Sequence, residues 1–333
     1  MRGVSRCFKG LFMLALAFTP YVVVAQRGPV RPISAPSQRP DVFGNESEVV
    51  NTDLVTLVVT VTDTQGHHVV GLEKSAFTIY DNKTRREISF FDDADEPLSV
   101  AVVFDVSGSM TEGKITRAKE ALGSFIQTSH PQDEFYLIDF SSTARVLLEK
   151  TRDADAVAAK LTYIQPQGNT ALCDAVYLGI DRLERGAPKK RVLLLISDGE
   201  DNNSRYSFAE IRRRLEESDV SIYSIGINVG PERVSNGEDT LRKLAATSGG
   251  KAFFPGNAIE MNDAFEKIAV ELRHQYSISF RPSDFVNRRE WHSLKVSAGP
   301  LSGGSRLFVR TRRGYYTFPR EPRFSMQVSN PQE

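Results

Sequence analysis

The spacing of apolar residues changes character twice along this chain, from strand-like to mixed and back again. Between 49 and 91 it is strand-like: Leu54-Val-Thr-Leu-Val-Val-Thr-Val61 is rich in β-branched residues, and Asp63-Thr-Gln-Gly66 supplies a turn. Phe77-Thr-Ile-Tyr80 and Glu87-Ile-Ser-Phe-Phe91 flank the polar turn Asp81-Asn82-Lys83, the pattern of a β-hairpin. From 98 to about 256 apolar runs at 98–104, 135–140, 192–196 and 221–227 alternate with helical stretches. Ile115, Ala118, Leu122 and Phe125 share one helix face, as do Phe208, Ile211 and Leu215, and Ser207-Phe-Ala-Glu210 reads as a capping box. A further helix begins near Asp239 and stops at Gly249-Gly250, and Met261, Phe265, Ile268 and Leu272 mark a last one. After Gln275 the β pattern returns in Tyr276–Phe280, Trp291–Val296, Leu307–Val309 and Gly314–Tyr316.

Val192-Leu-Leu-Leu-Ile196 has no polar alternation, which suits a central parallel strand covered on both faces. The middle stretch therefore predicts a doubly wound α/β domain with a mainly parallel sheet, binding ligands at the carboxyl ends of its strands. Neither β segment is long enough to make a comfortable sandwich alone. They are expected to pair into one antiparallel β module, with the α/β domain inserted between them. The expected organisation is a signal peptide at 1–25, a linker at 26–47, β module at 48–96, α/β domain at 97–275, β module again at 276–318 and a disordered tail at 319–333.

The ends sharpen this picture. Arg2, Arg6 and Lys9 precede the apolar stretch Leu11 to Val24, and Val23-Val24-Ala25 resembles a signal-peptidase site, so export to the periplasm, cell surface or medium is expected. Pro20 and the shortness of the run argue against a spanning helix, so no membrane span is expected after cleavage. Cleavage would also remove Cys7 and leave Cys173 as the sole cysteine, with no internal disulfide; Cys173 is read as a small buried apolar residue.

With 40% apolar and 25% charged residues over 333 positions, the chain can bury a sizeable core. Its 42 basic and 42 acidic residues cancel, so no global field draws it to nucleic acid. Composition leaves the oligomeric state open.

Candidate chemistry concentrates where the first parallel strand ends. Asp105-Val-Ser-Gly-Ser109 sets an acid and two hydroxyls at alternate positions, an all-oxygen cluster suited to a hard divalent cation. Alone, it fits metal binding, catalysis or the capping of the next helix. Thr170, in the polar turn Gly168-Asn-Thr-Ala171 before a helix, and Asp198, just past the strand Val192–Ile196, occupy loops that a doubly wound sheet can bring to the same crevice.

With these five residues the chain resembles a von Willebrand factor type A domain over roughly residues 97–275. In that family a D-x-S-x-S motif, a distant Thr and a later Asp form a metal-ion-dependent adhesion site. The resemblance assigns Asp105, Ser107, Ser109, Thr170 and Asp198 as metal-site residues. It implies Mg²⁺, or Mn²⁺ or Ca²⁺, with an open position for an Asp or Glu of a partner protein, and binding without catalysis. The flanks Val61–Gly66, Val70-Gly-Leu72, Phe77 and Arg313-Gly-Tyr-Tyr316 are similar to those of a bacterial subfamily of exported proteins carrying this domain.

Four other readings compete. Gly108-Ser-Met-Thr-Glu-Gly113-Lys114 fits the spacing of a phosphate-binding loop, but Ile115 stands where such a loop needs a hydroxyl for Mg²⁺. An aspartyl phosphotransferase would want an acid at 107, which is Ser; a metal-dependent hydrolase of another kind keeps a small share. A structural domain whose metal only stabilises it is the bland alternative. Glu200 and Asp201 are read as a solvated acidic loop, Arg212, Arg213 and Arg214 as an exposed helix face, and His67 and His68 as lacking any further ligand at a useful spacing.

Overall fold

A computed structural model describes residues 54–110, 112–162, 167–188, 190–227, 236–282, 289–299 and 306–317. The expected signal segment with Cys7, the linker and the tail lie outside the described residues.

A six-stranded sheet forms the centre of the α/β part. Its strands are β5 (Leu98–Asp105), β6 (Glu134–Phe140), β7 (Ala144–Thr151), β8 (Lys190–Ser197), β9 (Val220–Gly226) and β10 (Ala252–Phe253). They lie in the order β10-β9-β8-β5-β6-β7, all parallel except β7, which runs antiparallel on β6. Every residue of β5 and β6 is buried, because helices cover both faces. Alternate residues of the strands serve opposite cores. Val100, Val102 and Phe104 face α1 (Glu112–Gln127), α2 (Ala154–Thr162) and α6 (Ala258–Arg273). Ala101 and Val103 face α3 (Leu172–Glu184), α4 (Phe208–Glu217) and α5 (Asn236–Ser248). That two-sided burial is why no polar alternation marks these strands in the sequence.

The flanking segments interleave. Strand β1 (Val55–Thr62) lies between β11 (Tyr276–Phe280) and β13 (Phe308–Arg310), and β4 (Ile88–Asp92) pairs with the other edge of β11. A second sheet runs β14 (Gly314–Thr317), β12 (Glu290–Ala298), β2 (Phe77–Asp81), β3 (Thr84–Arg86). Leu57, Val59, Ile79, Ile88, Ile278 and Tyr315, drawn from both sheets, share one core. The antiparallel module built from two distant segments is thus present.

The hairpin expected around Asp81-Asn82-Lys83 is corrected by the structure. Asn82 (φ 46°) and Lys83 (φ 69°) take the left-handed conformation of a two-residue hairpin turn, so the chain returns immediately and β2 pairs with Thr84–Arg86. The apolar run at 88–92 crosses instead to the other sheet, where Ile88 enters the core. The half-exposed strand β7 and the two-residue β10 complete the central sheet beyond the four runs read from the sequence.

The β module joins the α/β domain at the amino ends of its strands. Tyr223 and Arg310 both hydrogen-bond Glu271, and Gln275 Nε2 donates to Tyr223 Oη at 2.9 Å. Arg312 donates to the carbonyls of Ser218 (3.2 Å) and Thr56 (3.0 Å), one from each part. The carboxyl ends of the strands therefore point away from the module.

Candidate metal centre

Strand β5 is the first strand of the sheet and sits in its middle, with β6 on one side and β8 on the other. The chain reverses its direction of progress there, and the crevice between the ends of β5 and β8 is the topological switch point where such sheets bind ligands. Asp105 is the last residue of β5, and Asp198 immediately follows β8.

Three loops interlock over that crevice. The amide of Gly108 donates to the carbonyl of Gly168 (2.9 Å), and that of Gln167 to Val106 (2.6 Å), binding the D-x-S-x-S loop to the Thr170 loop. The amides of Asn202 and Asn203 both donate to the Thr170 carbonyl at 3.0 Å, and Thr170 N–H donates to Asn202 Oδ1 at 2.9 Å, binding the Thr170 loop to the Asp198 loop. The order of these loops in the sheet brings all five candidate residues to one end of the domain.

Each candidate has a defined setting. Asp105 is fully buried; its Oδ1 accepts from Ser107 N–H (2.8 Å) and its Oδ2 from the Ser197 hydroxyl (2.6 Å). Ser107 is buried and Ser109 exposed, with their hydroxyl oxygens 3.1 Å apart. Thr170 is buried, and Asp198 is half-buried with its Oδ1 accepting from Glu200 N–H at 3.1 Å.

Among the described residues no cation is paired with the acids of the crevice. No ion pair joins Asp105 or Asp198 to a Lys, Arg or His among the described residues. Burial pushes the Asp105 carboxyl up to about 6, and the charge of Asp198 adds to that effect against the lowering hydrogen bonds from Ser107 and Ser197. Two carboxylates and three hydroxyls form a hard, all-oxygen donor set. The Ser107–Ser109 separation of 3.1 Å is close to the edge of about 2.9–3.0 Å that octahedral coordination at Mg²⁺ distances requires. The residues fit a small divalent cation.

Residues 99–267, just over half of the chain, match the family model for the von Willebrand factor type A domain. The chain belongs to that family. Among relatives of the type A domain, inter-alpha-trypsin inhibitor heavy chain H4 from Bos taurus is 25% identical over 219 residues, covering 60% of this chain and 23% of its own length. Heavy chain H2 from Sus scrofa is 27% identical over 172 residues, covering 47% of this chain and 18% of its own. The chain thus spans less than a quarter of these relatives. A solved von Willebrand factor type A protein from Catenulispora acidiphila is 15% identical with TM-score 0.47, covering 81% of this chain and 74% of that one. The von Willebrand factor domain of the type V pili tip protein Mfa5 from Porphyromonas gingivalis is 12% identical with TM-score 0.45, covering 53% and 95%.

Several residues that support the type A site have no signal in the sequence. Helix α3 has Ala171 at its N-cap and no side-chain cap of its own. Its first amides are satisfied from the Asp198 loop instead: Cys173 N–H donates to Asp201 Oδ2 (3.0 Å) and Asp174 N–H to Ser204 Oγ (3.2 Å). Glu200 and Asp201 are both exposed, as a solvated acidic loop requires, and Asp201 in addition caps a helix in another part of the chain. Asp174 reciprocates, accepting from the amides of Arg205 (2.9 Å) and Tyr206 (3.1 Å). Cys173 is buried as expected; burial, with a hydrogen bond to Asp201, pushes its thiol well above the usual range. The capping box is present at Ser207 and Glu210, and Ile211 and Leu215 form the buried face of α4, opposite exposed Arg212 and Arg213. His67 bonds Asp63 at 3.2 Å on the surface.

Proposed function

We propose that this chain is a non-enzymatic protein-binding module whose type A domain holds Mg²⁺, with Mn²⁺ or Ca²⁺ as substitutes, on Asp105, Ser107, Ser109, Thr170 and Asp198. The observation that carries the reading is the pair of neighbouring carboxylates, Asp105 and Asp198, set among hydroxyls with no ion-paired cation among the described residues. A bound divalent ion would neutralise that pair and offer an open coordination position to an Asp or Glu of a partner protein. Ser107, Ser109 and Thr170 would supply neutral oxygens, which leave the ion electrophilic toward the incoming acid. Asp105, held at both oxygens, would orient the Ser107 end of the loop. The basic start and apolar run of residues 2–24 support export to the periplasm, cell surface or medium.

Titration calorimetry of the full chain tests the metal assignment. Mg²⁺ or Mn²⁺ is expected to bind with affinity on the order of micromolar to millimolar, and Asp105→Ala to abolish binding with the fold retained. Equal binding by both proteins would refute it. A pull-down with and without chelator then tests the partner's dependence on the metal.

A further inference from the structure

The chain is electrically neutral overall, yet its cations are not evenly spread. Where α5 and the turn before β10 meet β12 and the β13–β14 segment lies a cavity of about 640 Å³ lined by six cations and, among the described residues, no carboxylate. Three of the six are paired with carboxylates outside the cavity lining: Arg242 with Glu238, Arg310 with Glu271 and Arg312 with the exposed Asp219. The other three, Lys251, Lys295 and Arg313, are exposed and have no ion-pair partner among the described residues. A second cavity, of about 450 Å³, continues the first and shares Arg242, Ala246 and Arg313 with it. Its lining includes one carboxylate, Glu216, which is ion-paired with Arg212 at 3.8 Å, and also Trp291, an exposed large aromatic. The indole is seated on Gly314, where a Cβ would stand 2.2 Å from Cζ2, and Tyr316 braces it edge-on at 5.1 Å.

We propose that this groove binds a linear anionic polysaccharide, one bearing carboxylate or sulfate groups. Two adjoining open cavities suit a polymer better than a single small anion. Unbalanced cations on both sides of the cavity, Lys251 on one and Lys295 and Arg313 on the other, provide a field for repeated negative charges. A braced, exposed indole gives the flat apolar surface on which a sugar ring can rest, and a purely acidic peptide would leave that surface unused. A nucleic acid would call for several stacking aromatics, whereas among the described residues Trp291 is the one exposed large aromatic in the groove. The groove lies at the opposite end of the domain from Asp105 and does not rest on the metal reading.

Fluorescence anisotropy with the full chain tests this, using labelled heparin and polygalacturonate oligosaccharides as probes, and a poly-glutamate peptide and a single-stranded oligonucleotide as comparisons. At least one saccharide is expected to bind, with affinity falling as salt rises and unchanged by EDTA. Lys251→Ala/Lys295→Ala/Arg313→Ala is expected to weaken binding roughly tenfold or more, and Lys251→Arg/Lys295→Arg to retain it. Trp291→Leu should weaken each saccharide that binds by roughly several-fold and leave any poly-glutamate binding unaffected. The proposal is overturned if neither saccharide binds, if the triple variant binds as well as the wild type, or if EDTA abolishes binding. It is equally overturned if the peptide or oligonucleotide binds more tightly than both saccharides.

Discussion

The hydroxyl of Ser197 donates to Asp105 Oδ2 at 2.6 Å, joining the ends of the neighbouring parallel strands β5 and β8. Ser197 Oγ also accepts from Gly199 N–H at 2.9 Å, so one side chain fixes both the first acid and the turn that follows the second. Ser197→Ala leaves a buried carboxylate short of a donor. It should cost about 1–3 kcal/mol of stability near neutral pH and weaken metal binding, without replacing any proposed ligand. Denaturant titration and calorimetry on the same variant check both effects.

The pH dependence follows from the sign of the Asp105 shift. Its folded-state value of about 6 stands above the ordinary 3.8, so between these the metal-free folded protein holds more protons than the unfolded chain. Stability of the metal-free protein attributable to this group is therefore present at low pH and lost as pH rises through that window. A cation that pairs with the ionised carboxylate reverses the loss. Added Mg²⁺ should raise the melting temperature more at about pH 7.5 than at about pH 5, as scanning calorimetry would register. A larger increment at the lower pH would contradict the assignment.

What could be read in the sequence was whatever short-range spacing dictates. Val192–Ile196 announced a central strand because burial on both faces removes every polar interruption. Asp105, Ser107 and Ser109 stood out because they are alternate residues on one loop. Strand β7 carried no such mark: Arg145, Glu149 and Lys150 interrupt its apolar residues, and only pairing with β6 makes it a strand. The hairpin at Asn82 misled because an apolar run after the turn looks alike whether it pairs locally or crosses to the other sheet. Ser197 and Asp201 were invisible for a different reason. Their roles are set by partners 92 and 28 residues away, and nothing near them in the chain records it.

Asp201 also separates capping from coordination. Its carboxylate holds Cys173 N–H and Ser204 N–H, which accounts for both oxygens without any metal. Asp201→Ala is expected to cost about 0.5–2 kcal/mol, the range for loss of a helix cap, and to change Mg²⁺ affinity far less than Asp105→Ala does. If calorimetry found the two variants equally impaired in metal binding, Asp201 would belong to the coordination set.

The turn after Asp198 is tight enough to be tested by a single methyl group. Gly199 has φ +82°, and a Cβ there would lie 2.2 Å from the Gly237 carbonyl oxygen at the start of α5. Gly199→Ala combines left-handed strain of about 1–3 kcal/mol with a clash against backbone that has no rotamer to yield. Lower stability in denaturant titration is expected, together with weaker Mg²⁺ binding as the Asp198 turn is displaced.

At the far end of the domain, Glu271 is buried between Tyr223 and Arg310, and so ties α6 and β9 to the β module. Burial, with the Glu271 charge beside it, drives the Tyr223 phenol well above its usual range, so the phenol stays a neutral donor to that carboxylate. Removing the acid alone leaves the Arg310 cation, 31% exposed, without its ion-pair partner, and Glu271→Ala should cost about 1–3 kcal/mol. Glu271→Leu with Arg310→Met removes both charges and should recover much of that loss, because desolvation then falls on neither partner. Denaturant midpoints of the two variants decide the point. If the double variant were no more stable than Glu271→Ala, the junction would depend on the shape of these side chains and not on the pairing of their charges.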